Sequence, residues 1–154
     1  MSIQRGYYID EMTVGMSASF SKTITTADVH DFARLTGDNN PIHIDEAYAA
    51  TTPFKGRIVH GMLSASLISA VIGTQLPGPG CIYRDQTIKF KAPVFLGETL
   101  VAKVTVEDIN LRQNRVRLKS ECTTGDKLVA TGYANVLVNR QKSQHCSTDT
   151  HKLD

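Results

Sequence analysis

The chain has 154 residues, 41% of them apolar, and a formal net charge of +2 at pH 7. That length fits one domain able to bury about 70% of the surface its unfolded form exposes. The charge is spread rather than gathered in the basic stripe that nucleic acid needs, and no window approaches the ~20 apolar residues of a membrane span. Three cysteines, Cys81, Cys122 and Cys146, have no close pair, which speaks for a reducing compartment. The N-terminus lacks the apolar core of a signal peptide, so a soluble cytoplasmic protein is expected.

Residues 1–16 mix aromatic and polar types around Gly6 and Gly15 and read as an irregular edge leading into a strand at about Ser17 to Ile24. At Thr25-Thr26-Ala27-Asp28 a threonine is followed three residues on by an acid, the signature of a capping box. Val29, Phe32 and Ala33 follow at helical spacing, so a short amphipathic helix should end near Thr36. His30 falls on its polar side, toward solvent.

The next stretch, Thr36-Gly37-Asp38-Asn39-Asn40-Pro41-Ile42-His43, combines backbone devices with chemistry. Gly37 stands where a left-handed helix terminus favours glycine, and Pro41 pushes Asn40 out of the helical region. Asp38 and His43 therefore lie on opposite limbs of a compact bend, where their side chains can converge. The same residue types also serve a plain turn, and both readings are open at this point. Asp45 then suits the cap of a second short helix over Glu46 to Ala50.

After Gly56-Arg57-Ile58-Val59-His60-Gly61 comes the most apolar helix of the chain, from about Met62 to Ile72. Leu63, Leu67, Ile68, Val71 and Ile72 cover more than one stripe, which predicts burial on most sides. Gly61, Ala65, Ser69 and Gly73 repeat every four residues and line up small side chains on one ridge. Close helix-to-sheet packing accounts for such a ridge, and so does room for a ligand. Gly61 and Ser69 are about 12 Å apart along the axis and cannot both touch one reacting atom.

Gln75-Leu76-Pro77-Gly78-Pro79-Gly80 ends that helix, and strands follow. Ile82 to Lys91 is the first, stopped by Ala92-Pro93 and turned round at Leu96-Gly97-Glu98. Leu100, Ala102, Val104 and Val106 alternate with polar or outward residues, and Val116, Leu118, Ser120 and Cys122 do the same against a charged set, the period of half-buried strands. Thr124-Gly125-Asp126-Lys127 is a hairpin signal, and Leu128 to Val138 closes an antiparallel meander. One domain over residues 1–139 is expected. Residues 140–154 read as a polar, disordered tail, whose His145, Cys146 and His151 have no accompanying ligand cluster, so no metal site is predicted.

A long helix across the concave face of a curved antiparallel sheet is an α+β layer. The start of that helix, at His60-Gly61, carries free N–H groups and the positive dipole end, a place for negative charge. Glycine there admits a ligand close to the backbone.

At these residues the chain resembles a known family. Phe32 to His43, with Gly37-Asp38-x-Asn40-Pro41-x-His43, and Arg57-Ile58-Val59-His60-Gly61-Met62-Leu63 are similar to the MaoC-like hot-dog proteins, particularly the (R)-specific enoyl-CoA hydratases, from about Val14 to Val138. The resemblance implies a hot-dog fold, a curved antiparallel sheet wrapped around one long central helix. It implies reversible hydration of a trans-2-enoyl thioester to the (R)-3-hydroxyacyl thioester. Asp38 and His43 would then activate water, and the Gly61 N–H would hold the developing oxyanion.

Asn40 is assigned to holding the bend or orienting His43, and His60 to a structural hydrogen bond. Ser69, Ile72 and Val136 are assigned to the acyl pocket. No cofactor is expected beyond the thioester's carrier, coenzyme A or an acyl carrier protein. Lys55, Arg57, Arg84, Lys89 and Lys91 are candidates for the carrier's phosphates, none singled out. The resemblance also implies a homodimer joining two sheets, which answers the edge-strand problem. Two other functions are weighed: a hot-dog acyl-CoA thioesterase, and a non-catalytic acyl-thioester-binding module.

Overall fold

The computed structural model describes residues 5–141. The predicted tail lies outside the described residues from 142 onward, and so do His145, Cys146 and His151. After a short 3-10 turn at Ile9–Glu11, the chain forms β1 (Ser17–Thr23), α1 (Thr26–Thr36), α2 (Pro41–Ile44), α3 (Glu46–Thr51) and α4 (Gly61–Thr74). Four long strands complete it: β2 (Ile82–Phe90), β3 (Thr99–Asn110), β4 (Arg115–Thr124) and β5 (Lys127–Leu137). The five strands make one antiparallel sheet in the order β1-β3-β4-β5-β2.

The local signals act as expected. Thr25 Oγ1 accepts from the Asp28 N–H at 3.2 Å while the Thr25 N–H donates to Asp28 Oδ2 at 2.8 Å, closing the box that starts α1. Gly37 ends that helix at φ +80°, donating to the Ala33 carbonyl at 2.8 Å. Leu100, Ala102, Val104 and Val106 of β3 and Val116, Leu118, Ser120 and Cys122 of β4 are all buried. They face α4, which lies across β1, β3 and β4 and buries Leu63, Leu67, Ile68, Val71 and Ile72 in the same core. This is the hot-dog arrangement, an α+β layer with one long helix on a curved sheet.

Two expectations are corrected. β2 and β3 do not form a hairpin, although a turn with Gly97 in the left-handed region precedes β3. β2 instead runs to the far end of the sheet and pairs with β5, leaving β3 between β1 and β4. Its partner is chosen by non-local packing, which the turn residues do not encode. Nor is α4 buried on most sides: Met62, Ser66, Ser69 and Gly73 are exposed and Ala65 is half-buried. The small-residue ridge therefore faces away from the sheet, because the five large aliphatic residues outcompete it for the core. No helix among the described residues is long and apolar enough to cross a membrane.

β2 approaches β5 closely at Gly132, opposite Ile88, where an added Cβ would collide with the Thr87 carbonyl. Gly132→Ala is expected to destabilise the domain by at least ~1–3 kcal/mol, the range for overpacking. Urea melts check this, and an unchanged midpoint would remove Gly132 from the account of how the edge strand is held.

Candidate active site

The bend after α1 is built from its own side chains. The Asp38 N–H donates to Thr36 Oγ1 at 3.3 Å, and the Asn40 N–H donates to Asp38 Oδ1 at 3.3 Å. Asn40 Oδ1 accepts from the Ile42 N–H at 3.2 Å, so Asn40 is the N-cap of α2, with Pro41 at its first position. Asn40 thus holds the bend and starts the single turn that carries His43. That turn is absent from the sequence expectations, since four residues show no periodicity.

His43 is 8% exposed, and its Nδ1 lies 2.7 Å from the Ile58 carbonyl. A carbonyl can only accept, so Nδ1 carries the hydrogen and Nε2 is the free lone pair of the neutral ring. His60 is 1% exposed, and its Nε2–H donates to the Asp38 carbonyl at 3.0 Å. The two imidazoles stack with centroids 3.9 Å apart and planes 32° apart. A carboxylate oxygen of Asp38 and one nitrogen of each ring lie within 4.8 Å of one another. The bend and the segment before α4 therefore bring the predicted pair together, with His60 as an added third member.

Such a trio is also a ligand-type set. Yet each imidazole already gives one nitrogen to a carbonyl, and the remaining nitrogen of His60 is sealed from solvent.

Gly61 starts α4 beside this cluster, and no side chain caps that helix end. Its N–H groups are consequently available to an incoming oxygen. A Cβ at Gly61 would stand 2.9 Å from the tip of the Phe90 ring, so any larger residue would push that ring away from the helix start. His43, Gly61, Phe54, Phe90 and Lys91 line one cavity of about 380 Å³. Asp38 lines a second, open groove of about 590 Å³ with Phe32, Met62, Ala65, Ser69 and Tyr83. Gly61 and Ser69 thus sit in different spaces, in keeping with their separation along the helix.

The other assigned residues fall as follows. Ser69 is exposed in the Asp38 groove, whereas Ile72 and Val136 are fully buried in the sheet–helix core and line neither space. Tyr83 and Gln86 of β2 also line the groove, the Tyr83 hydroxyl donating to Gln86 Oε1 at 2.5 Å. Burial and the neighbouring Asp85 push the Tyr83 phenol up to about 12. Sequence reading missed both, because their position depends on β2 crossing to the edge. Among the basic candidates, Lys91 lines the His43 cavity and Arg57 is paired with Glu46 at 3.0 Å.

The single layer with one long helix on a curved antiparallel sheet defines the class: a hot-dog domain, with Asp38, His43 and His60 gathered beside the N-terminus of its long helix. The chain belongs to the MaoC-like family, with residues 11–131 matching the MaoC like domain. It is 50% identical over 132 residues to an (R)-specific enoyl-CoA hydratase of Rhodospirillum rubrum, covering 86% of this chain and 92% of that protein. It is 45% identical over 138 residues to a 3-hydroxybutyryl-CoA dehydratase of Methylorubrum extorquens, covering 90% and 88%. Among solved structures, the unliganded R-hydratase of Pseudomonas aeruginosa superposes with a TM-score of 0.83 at 44% identity, over 88% of each chain.

Burial holds the His43 imidazole below its ordinary value of 6.5; the Ile58 carbonyl acts upward, His60 adds to the lowering and the Asp38 charge opposes it. A folded value below the unfolded one means the native state binds fewer protons. The associated stability is full above 6.5 and is lost as pH falls through the folded value. A proton NMR titration of the His43 ring is expected to show a midpoint below 6.5. A midpoint at or above it would contradict a buried, neutral imidazole at His43.

Proposed function

We propose that the protein hydrates trans-2-enoyl-CoA to (R)-3-hydroxyacyl-CoA and catalyses the reverse dehydration. The observation that carries this reading is the convergence of Asp38 and His43 beside an uncapped helix start at Gly61. The activities named for the relatives in Rhodospirillum rubrum and Methylorubrum extorquens, and the R-hydratase neighbour, support it.

The chemistry follows from the groups. A carboxylate of Asp38 and the free Nε2 of His43 are both acceptors, so together they take up the two O–H bonds of a water between them and leave its lone pair for C3 of the enoyl chain. As the C–O bond forms, one of them removes the water's proton and the C2=C3 electron pair moves onto the thioester oxygen. The N–H groups at Gly61 and the positive end of α4 hold that oxyanion. Return of the proton to C2 completes the addition. A positioned acid–base group contributes ~10²- to 10⁴-fold and an oxyanion donor ~10²- to 10³-fold. Ser69, exposed along the groove that Asp38 also lines, lies where an acyl chain would run.

We further infer a homodimer. β2 is an edge strand with one side of its backbone unpaired, and Ile82, Tyr83 and Phe90 on it and Met62 on α4 are exposed apolar residues. A second copy paired edge to edge through a twofold axis covers both features. Sedimentation equilibrium is expected to give twice the 16.9 kDa chain mass; the mass of one chain at micromolar concentration would refute the dimer. The cytoplasmic setting read from the sequence accords with Cys81 and Cys122 as free thiols.

With crotonyl-CoA, loss of the enoyl absorbance without release of free thiol is expected. Thiol release would point instead to a thioesterase, and no reaction to a binding module. Asp38→Asn and His43→Ala should each keep the fold and lower kcat by at least ~10²-fold, and near-normal turnover in either variant would sink the assignment.

A further inference from the structure

His60 is the buried titratable group that the chemistry above does not use. At 1% exposure it cannot reach water or substrate, yet it touches both members of the acid–base pair. Its Nε2–H donates to the Asp38 carbonyl at 3.0 Å, and its face lies 3.9 Å from the His43 ring. The other bonds of Asp38 itself are 3.3 Å contacts within the bend, to Thr36 and from Asn40. The His60 bond is therefore what ties Asp38 to the start of α4.

His60 also carries a cost that a merely structural residue would avoid. Its Nδ1 is buried with no hydrogen-bond partner, and Phe32 packs 4.9 Å away, so the surroundings suit an aromatic hydrocarbon ring. Burying an unpartnered polar atom is unfavourable. An imidazole at this position makes sense where its single donor is needed.

We propose that His60 is a positioning residue: it holds the Asp38 backbone through Nε2–H and the His43 ring by stacking, so that carboxylate and imidazole keep their register before substrate arrives. The proposal rests on the hydratase reading above. It assigns His60 no contact with the reacting atoms, which are reached through Asp38 and His43.

Two variants separate the donor from the ring. His60→Phe keeps an aromatic face and removes the N–H, whereas His60→Gln places an amide N–H near the same point. In His60→Phe, kcat with crotonyl-CoA is expected to fall ~10- to 10²-fold at unchanged KM, the scale of a small misplacement of catalytic groups. His60→Gln should recover most of that loss. Independently of turnover, the backbone ¹⁵N resonance of Asn39, which shares a peptide group with the Asp38 carbonyl, should move in His60→Phe and return in His60→Gln. An unmoved Asn39 resonance overturns the proposal, whether or not the wild-type chain hydrates crotonyl-CoA. So does a His60→Phe variant with wild-type kcat, a loss that falls on KM alone, or a Gln variant as impaired as the Phe one. A wild-type chain that fails to hydrate crotonyl-CoA while the Asn39 shift behaves as expected overturns the hydratase reading and leaves the positioning intact.

Discussion

The site depends on one strut, residues 58–61, and above all on the bond between His43 Nδ1 and the Ile58 carbonyl. The Ile58 N–H returns a bond to the Ile42 carbonyl, so this segment and the turn bearing His43 hold each other reciprocally. Val59 then bonds the Val94 carbonyl and so anchors the strut beside the sheet. His60 reaches back to the Asp38 carbonyl, and Gly61 begins α4. Four consecutive residues thus join the His43 ring, the Asp38 backbone, the Val94 segment and the start of α4. A single rigid connection of this kind lets two short loops present groups with a precision that loops alone do not supply.

The bond to Ile58 also decides the chemistry of His43. By fixing the hydrogen on Nδ1 it leaves Nε2 as an acceptor, and burial keeps the ring neutral so that the acceptor is present. Both effects come from the same placement in a buried pocket wall. The cost appears in stability, because a buried imidazole resists protonation and His60 leaves a nitrogen without a partner. Among the described residues one other buried side-chain polar atom lacks a partner, the Ser120 hydroxyl in the sheet core, so the cost at His60 gains its meaning from the neighbouring Asp38 and His43.

What was legible in the sequence follows the range of the interactions involved. The Thr25–Asp28 box, the left-handed Gly37, the bend at Asn40-Pro41 and the alternation of β3 and β4 are written in residues a few positions apart, and each appears as read. The Asp38–His43 convergence was legible for the same reason, since Gly37 and Pro41 leave the chain little choice. The position of β2 was not, because pairing with β5 is chosen by packing across some 50 residues, as in Gln86 with Ala134. His60 was placed as a structural hydrogen bond, and its stacking on His43 needed the fold to become visible. The exposed face of α4 was misjudged because hydrophobicity summed along a helix does not say that one ridge of small residues lacks a partner.

That ridge and the edge strand bear on one another. In one chain His43 and Gly61 line one space, and Asp38 and Ser69 another, although Asp38 and His43 lie side by side. Phe90 lies against Gly61 from β2, the same strand whose outer edge is unpaired and whose Tyr83 and Gln86 wall the groove. Any partner that pairs with β2 must therefore also shape both spaces, since the strand it grips contributes residues to each. Small residues at Ala65, Ser69 and Gly73 leave width along α4 where a large side chain would fill the groove. The edge strand and the open helix face, which look like faults in an isolated sheet, both border the groove that Asp38 lines.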